Sequence, residues 1–171
     1  FLSPHQPHGT GGVHAPESYY RRLPETLELP ANVPAALREP SLKMLRHYLA
    51  MTLALDDMAG ELLEYLDRSG RAANTLFIFT SDHGSQVGAQ GIAPWMKMRP
   101  YEESLRVPLI ARWPGRIEAG ARRDLLLAPV DFFPTLCSLC GVPIPRTVEG
   151  LDLSGAWLGR PGAARRDAAL T

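Results

Sequence analysis

The chain has 171 residues, with 18 Lys+Arg balanced by 18 Asp+Glu, 45% hydrophobic and 21% charged residues. That length fits one ordinary domain of about 100–200 residues, and the apolar fraction supports a packed core rather than a disordered chain. A formal net charge of zero gives no field that draws a polyanion, so nucleic acid is not expected as a partner. No apolar run approaches the ~20 residues of a membrane-spanning helix.

Only two cysteines occur, Cys137 and Cys140, which excludes a disulfide scaffold. The 16 Pro and 15 Gly predict many loops. The chain opens on Phe1-Leu2-Ser3-Pro4 with no initiator Met and no basic leader, and it ends in an Ala/Arg-rich stretch. These ends lead us to expect a piece of a longer protein.

Residues 1–40 are punctuated by prolines and glycines and read as loop-rich, with Phe1-Leu2-Ser3 as the tail of a strand. From Ser41 to about Arg68 the pattern turns helical. Pro40-Ser41 marks the start, Leu42, Leu45, Leu49 and Leu53 recur at i+3/i+4 spacing, and Leu62, Leu63 and Leu66 continue the stripe. Ser69-Gly70 stops it, because Gly tolerates a left-handed cap.

Thr75–Thr80 is β-rich and continuously apolar, which suits a strand covered on both faces, as in a parallel sheet. Val107–Trp113 reads as a second strand, with Pro108 near its start. Val130–Cys140 is expected as a helix ended by Gly141, with Pro134 in its first turn, and Leu151–Leu158 as another short one. Alternation of helix and strand predicts an α/β layered domain over residues 41–160, followed by a compositionally loose tail over 161–171.

The sharpest chemical feature is Ser81-Asp82-His83-Gly84, directly after the first strand. In open α/β sheets ligands bind beyond the carboxyl ends of strands. A carboxylate and an imidazole emerge there side by side, a donor set for a hard divalent cation; the alternative is a strand-end turn that Asp82 merely caps. His5, His8 and His14 fall within ten residues. Only His5 follows an apparent strand end and carries functional weight; His8 and His14 read as solvated loop side chains. Lys97 lies in the Gly/Pro-rich loop between the strands, where an ammonium can neutralise an anionic substrate or serve as an ordinary surface lysine.

Cys137-Ser138-Leu139-Cys140 matches C-x-x-C, but it has no second pair and no adjacent histidine, so a zinc site lacks ligands. It also ends a helix, where a redox motif begins one. Both cysteines are therefore expected to be small, shielded core residues. Asp56, near the apolar stripe of the long helix, is expected to be a hydrogen-bonded buried carboxylate.

Together these pieces resemble the later part of the catalytic domain of the sulfatase family, in the alkaline phosphatase superfamily. Pro4-His5-Gln6-Pro7, Pro16-Glu17-Ser18-Tyr19 and Leu29-Pro30-Ala31-Asn32 resemble the family's Pro-His-x-Pro, Pro-Glu-x-Tyr and Leu-Pro-x-Asn. The helix around Leu55-Asp56-Asp57 that ends in Leu66-Asp67-Arg68-Ser69-Gly70 is similar to the family helix. So is Asn74-Thr75-Leu76 running into Ser81-Asp82-His83-Gly84. Lys97, Tyr101–Pro108, Trp113-Pro114-Gly115, Val130–Leu136 and Gly150–Leu153 continue the series in order.

The resemblance implies a partial alkaline-phosphatase/sulfatase-like layered sheet with flanking helices over residues 1–171. It implies Asp82 and His83 as ligands of Ca²⁺ (Mg²⁺ or Mn²⁺ as variants), and Lys97 and His5 as the groups that contact sulfate. The implied partner is a small-molecule or saccharide sulfate ester. The family's nucleophile is a formylglycine made from Cys in Cys-x-Pro-Ser-Arg, near the start of the domain beside an aspartate pair for the same metal. No such cysteine motif with its aspartate pair occurs in this chain, whose Asp56-Asp57 belongs to the long helix. The chain is therefore expected to supply metal- and sulfate-binding residues without turning over substrate alone. The alternatives are a phosphonate monoester or phosphodiester hydrolase of the same superfamily, and a non-catalytic remnant that binds metal or a partner.

Overall fold

A computed structural model describes residues 15–169. The elements in order are α1 (Glu17–Tyr20), α2 (Arg38–Arg68), β1 (Phe77–Thr80), α3 (Glu102–Leu105), β2 (Leu109–Arg112), α4 (Pro129–Cys140) and α5 (Ser154–Trp157), with short 3₁₀ turns between some of them. The chain divides into two compact units. One comprises residues up to Arg71 together with Phe79–Leu109, and the other Ala72–Ile78 together with the chain from Ile110 onward. No helix among the described residues is long and apolar enough to cross a membrane.

The first unit is built on α2, a helix of 31 residues and about 46 Å at 1.5 Å per residue. It begins at Arg38, three residues before the expected Ser41, so Pro40 falls inside its first turn. The amide hydrogen that proline lacks is one the first turn leaves unbonded in any case. The helix stops where expected: Ser69 caps it and Gly70 adopts φ 68°. Of the leucine stripe only Leu66 is buried and the rest is half-buried; the other buried positions are Ser41, Met44, Ala50 and Met51. Short α1 is tied to α2 by Tyr20 Oη and His47 Nδ1 at 2.7 Å, and by Arg22, which donates to Asp57 at 2.5 and 3.1 Å. The carboxylate with a partner is thus Asp57, while Asp56 is exposed, which corrects the expected buried role. At 100° per residue, adjacent helical positions cannot share a face, and α1 lies on the Asp57 side.

β1 and β2 form a two-stranded sheet. Its direction is antiparallel. Gly84 N–H, past the end of β1, donates to Ser104 O, ahead of β2, at 2.8 Å. Trp113 Nε1, past the end of β2, donates to Ala73 O, ahead of β1, at 2.9 Å. The parallel partner suggested by the unbroken apolar run is therefore not the one these strands take. An unbroken run reports burial on both faces, and burial carries no information about strand direction.

The second unit packs Trp113, Leu139, Leu153 and Trp157 as its buried centre, flanked by Leu76, Ile78, Leu127 and Phe132. Phe132 meets Trp157 edge to face at 6.2 Å between centroids, a favoured aromatic geometry. α4 ends at Gly141 with φ 71°, as its left-handed cap requires. Pro134 lies in the second turn of α4 rather than the first, so Val130 O loses the amide donor it would have had in an unbroken helix. The backbone of Gly150 fills that side: a Cβ there would stand 1.9 Å from Val130 O. Cys137 is buried but Cys140, the last helical residue, is exposed, so only one of the two thiols is shielded as expected. The residues that follow it, Gly141 to Thr147, are exposed as well.

Candidate functional site

β1 delivers its last residue, Thr80, into the turn Ser81-Asp82-His83-Gly84. Asp82 Oδ1 accepts the His83 backbone N–H at 3.0 Å, and Ser81 Oγ donates to His83 O at 2.8 Å. These bonds fix the turn on itself and point the carboxylate outward, with its side chain 65% exposed. Gly84 is required by proximity, because a Cβ there would lie 1.9 Å from the backbone oxygen of Glu103.

His83 Nδ1 lies 2.9 Å from Gly84 O. A carbonyl can only accept, so Nδ1 carries the proton and Nε2 presents a lone pair in the neutral ring. Nε2 stands 3.4 Å from Asp82 Oδ2. Two electron-rich atoms at that separation call for a proton or a cation beside them. Burial raises the Asp82 carboxyl, but the hydrogen bonds it accepts, that from the His83 backbone N–H foremost, outweigh it and hold the group below the ordinary carboxylate value. An ionised carboxylate beside an imidazole lone pair could supply an oxygen and a nitrogen ligand to a divalent cation. Among the described residues no group of three or more His, Cys, Asp or Glu side chains converges as a metal cluster.

Lys97 is half-buried in the loop between β1 and β2 and has interaction partners of its own. Gln86 N–H donates to Met96 O at 3.1 Å, and Arg99 N–H to Ser104 Oγ at 3.4 Å, so the residues around Lys97 are stitched to those that follow Gly84. The structure thus links the turn bearing Asp82 and His83 with the Lys97 loop through backbone bonds of one unit. His5, and with it His8 and His14, lies outside the described residues. Sequence reasoning missed two buried polar residues that organise this region, Gln86 and Ser104, 1% and 2% exposed. Ser104 stood inside the Tyr101–Pro108 motif, which was the one available signal.

The Sulfatase family model matches residues 1–142. An ulvan-active sulfatase of Formosa agariphila is 36% identical over 154 residues, a match that covers 89% of this chain and 29% of the relative. A solved structure from work on the metabolism of glycosaminoglycans by Bacteroides thetaiotaomicron superposes with a TM-score of 0.80 at 32% identity. It covers 95% of this chain and 34% of that one. The phosphonate monoester hydrolase of Agrobacterium radiobacter superposes with a TM-score of 0.66 at 31% identity, covering 77% of this chain and 26% of that one. The chain therefore spans about a third or less of these proteins, and its architecture is part of the alkaline-phosphatase-like α/β fold. With the family model covering most of its length, the chain belongs to the sulfatase family.

Proposed function

We propose that this chain supplies part of the catalytic machinery of a sulfuric ester hydrolase. Asp82 and His83 are ligands of a divalent cation, Ca²⁺ in the first instance, and Lys97 and His5 engage the sulfate group. The observation that carries this reading is the pairing of an exposed, ionised Asp82 carboxylate with the His83 Nε2 lone pair at 3.4 Å. A cation bound there supplies positive charge to the anionic sulfuryl oxygens and the departing oxygen. The Gly84 carbonyl holds the His83 tautomer that keeps Nε2 open. The Lys97 ammonium neutralises a further sulfate oxygen.

Neither cysteine stands in the Cys-x-Pro-Ser-Arg context that yields formylglycine in this family. The nucleophile is thus assigned to sequence outside these 171 residues, and the chain alone is proposed to be inactive. A saccharide sulfate is the substrate class favoured by the names of the ulvan-active relative and of a solved relative in complex with D-glucosamine-2-N,6-O-disulfate.

The test is a Ca²⁺ titration of the full chain followed by thermal unfolding. Saturation at 100 times Kd stabilises a one-site protein by about 2.7 kcal/mol, and Asp82→Asn is expected to abolish the shift. No shift in the parent chain overturns the metal assignment and leaves a partner-binding remnant. Turnover of an aryl sulfate by the 171-residue chain overturns the proposed inactivity. A second reading, phosphonate monoester hydrolysis, is favoured by the likeness to the Agrobacterium enzyme. Comparing aryl sulfate with aryl phosphonate turnover by the longer protein separates the two.

A further inference from the structure

Among the described residues, three non-glycine residues adopt a left-handed backbone, and all three fall in one stretch of loop: Val87 (φ 47°), Gln90 (φ 57°) and Met98 (φ 58°). For a β-branched residue such as Val87 this is a genuine outlier. Strain of this kind persists only where the surroundings over-determine it, and the surroundings here are two buried polar side chains. Gln86 Nε2 donates to Ser104 Oγ at 2.7 Å. Gln86 N–H then fixes Met96 O, and Ser104 Oγ accepts Arg99 N–H. Ser104 O accepts Gly84 N–H at 2.8 Å. Lys97 is consequently bracketed, with the residue before it held by Gln86 and the residue two after it held by Ser104. Gln86 Oε1 is buried without a hydrogen-bond partner, a cost that a side chain kept for stability alone would avoid.

We propose that Gln86 and Ser104 are positioning residues, a lock that keeps the loop from Ser85 to Arg99 in the strained conformation from which Lys97 is presented. The purpose of that presentation rests on the proposed contact of Lys97 with an anionic substrate group. The lock acts before substrate or metal binds, because every bond in it is made within the chain. It also ties Lys97 to the turn that carries Asp82 and His83, since one residue, Ser104, bonds both segments.

The sequence offers an internal control, because Lys43 and Lys97 are its only lysines and Lys43 is exposed on α2. The experiment treats the full chain, without metal or substrate, with an amine-acylating reagent and reads the Lys97:Lys43 modification ratio by mass spectrometry. Ser104→Ala and Gln86→Leu are expected to raise the ratio about tenfold as the loop opens locally. Ser104→Thr, which keeps the oxygen, is expected to hold it within about twofold of the parent. An unchanged ratio in both Ser104→Ala and Gln86→Leu overturns the lock, and so does an equal rise in Ser104→Thr.

Should the variants fail to fold, hydrogen exchange of the Arg99 amide in the parent chain decides. Protection supports the lock, and exchange at the rate of a free loop overturns it. Because no cation or sulfate enters this experiment, its failure leaves the proposed hydrolase function standing. Loss of the Ca²⁺ response in the earlier test likewise leaves the lock standing.

Discussion

Asp131 offers the strongest test of how the second unit is held. It is completely buried in the first turn of α4, where its carboxylate accepts Ala128 N–H at 2.9 Å, Leu151 N–H at 2.8 Å and Arg166 Nε at 2.7 Å. One side chain thus caps a helix, anchors the chain ahead of α5, and secures Arg166 from the compositionally loose end. Asp131→Asn keeps the shape but turns one acceptor into an NH₂ that faces a donor, and it removes the charge opposite the guanidinium. An orphaned buried N–H costs about 1–3 kcal/mol. Breaking a buried ion pair by removing one partner costs about 3–5 kcal/mol. The two overlap, so the expected loss is about 3–5 kcal/mol, or a fall in Tm of about 6–20 °C for a chain of this size.

Near-ultraviolet circular dichroism of the buried Trp113 and Trp157 reads the transition. The Arg166 guanidinium, helped by the Leu151 and Ala128 amides, holds the Asp131 carboxyl below its ordinary value against the opposing effect of burial. A carboxyl depressed in the folded state stabilises above its unfolded pKa of about 3.9, and that stabilisation is lost as pH falls through the lower folded value. The gap between parent and Asp131→Asn is therefore constant from about pH 5 upward, about one unit above the unfolded value, and closes in acid. A variant within about 2 °C of the parent at neutral pH, or a gap that widens on acidification, refutes the reasoning.

Gly84→Ala is expected to destabilise by about 1–3 kcal/mol, since its Cβ meets backbone at 1.9 Å, and a urea midpoint lowered at constant slope checks this. Thr135 is fully buried and accepts Leu153 N–H at 2.9 Å. Thr135→Val is expected to cost about 1–3 kcal/mol by orphaning that amide, while Thr135→Ser retains most of the stability in the same denaturation series. Arg22 and Asp57 form a half-exposed pair, with side chains 45% and 38% exposed. The difference in Tm between Arg22→Ala and the parent is expected to shrink as NaCl rises from 0.01 to 1 M, roughly the range over which screening shortens from about 30 to 3 Å; an undiminished difference would contradict a screened contact.

Several elements could be read directly from residue order because their causes are local. The end of α2 follows from Ser69-Gly70, the end of α4 from Gly141, and the strand before Asp82 from an unbroken β-rich run. The Asp82-His83-Gly84 turn was legible for the same reason: a motif after a strand end needs only its neighbours to exist. The start of α2 was read three residues late because Pro40 works as well within a first turn as ahead of one.

What sequence order determined about this protein is its family, the principal helices and strands, and the side chains that carry its candidate chemistry. Only tertiary structure decided which way β2 runs beside β1, that Asp57 rather than Asp56 meets Arg22, that Cys140 stays exposed while Cys137 is buried, and that Gly150 fits against the carbonyl Pro134 leaves free. It also decided that Gln86 and Ser104 hold the loop on either side of Lys97. Periodicity and capping act over a few residues, whereas each of these outcomes depends on a partner distant in sequence, and hydrophobic pattern alone does not choose among distant partners.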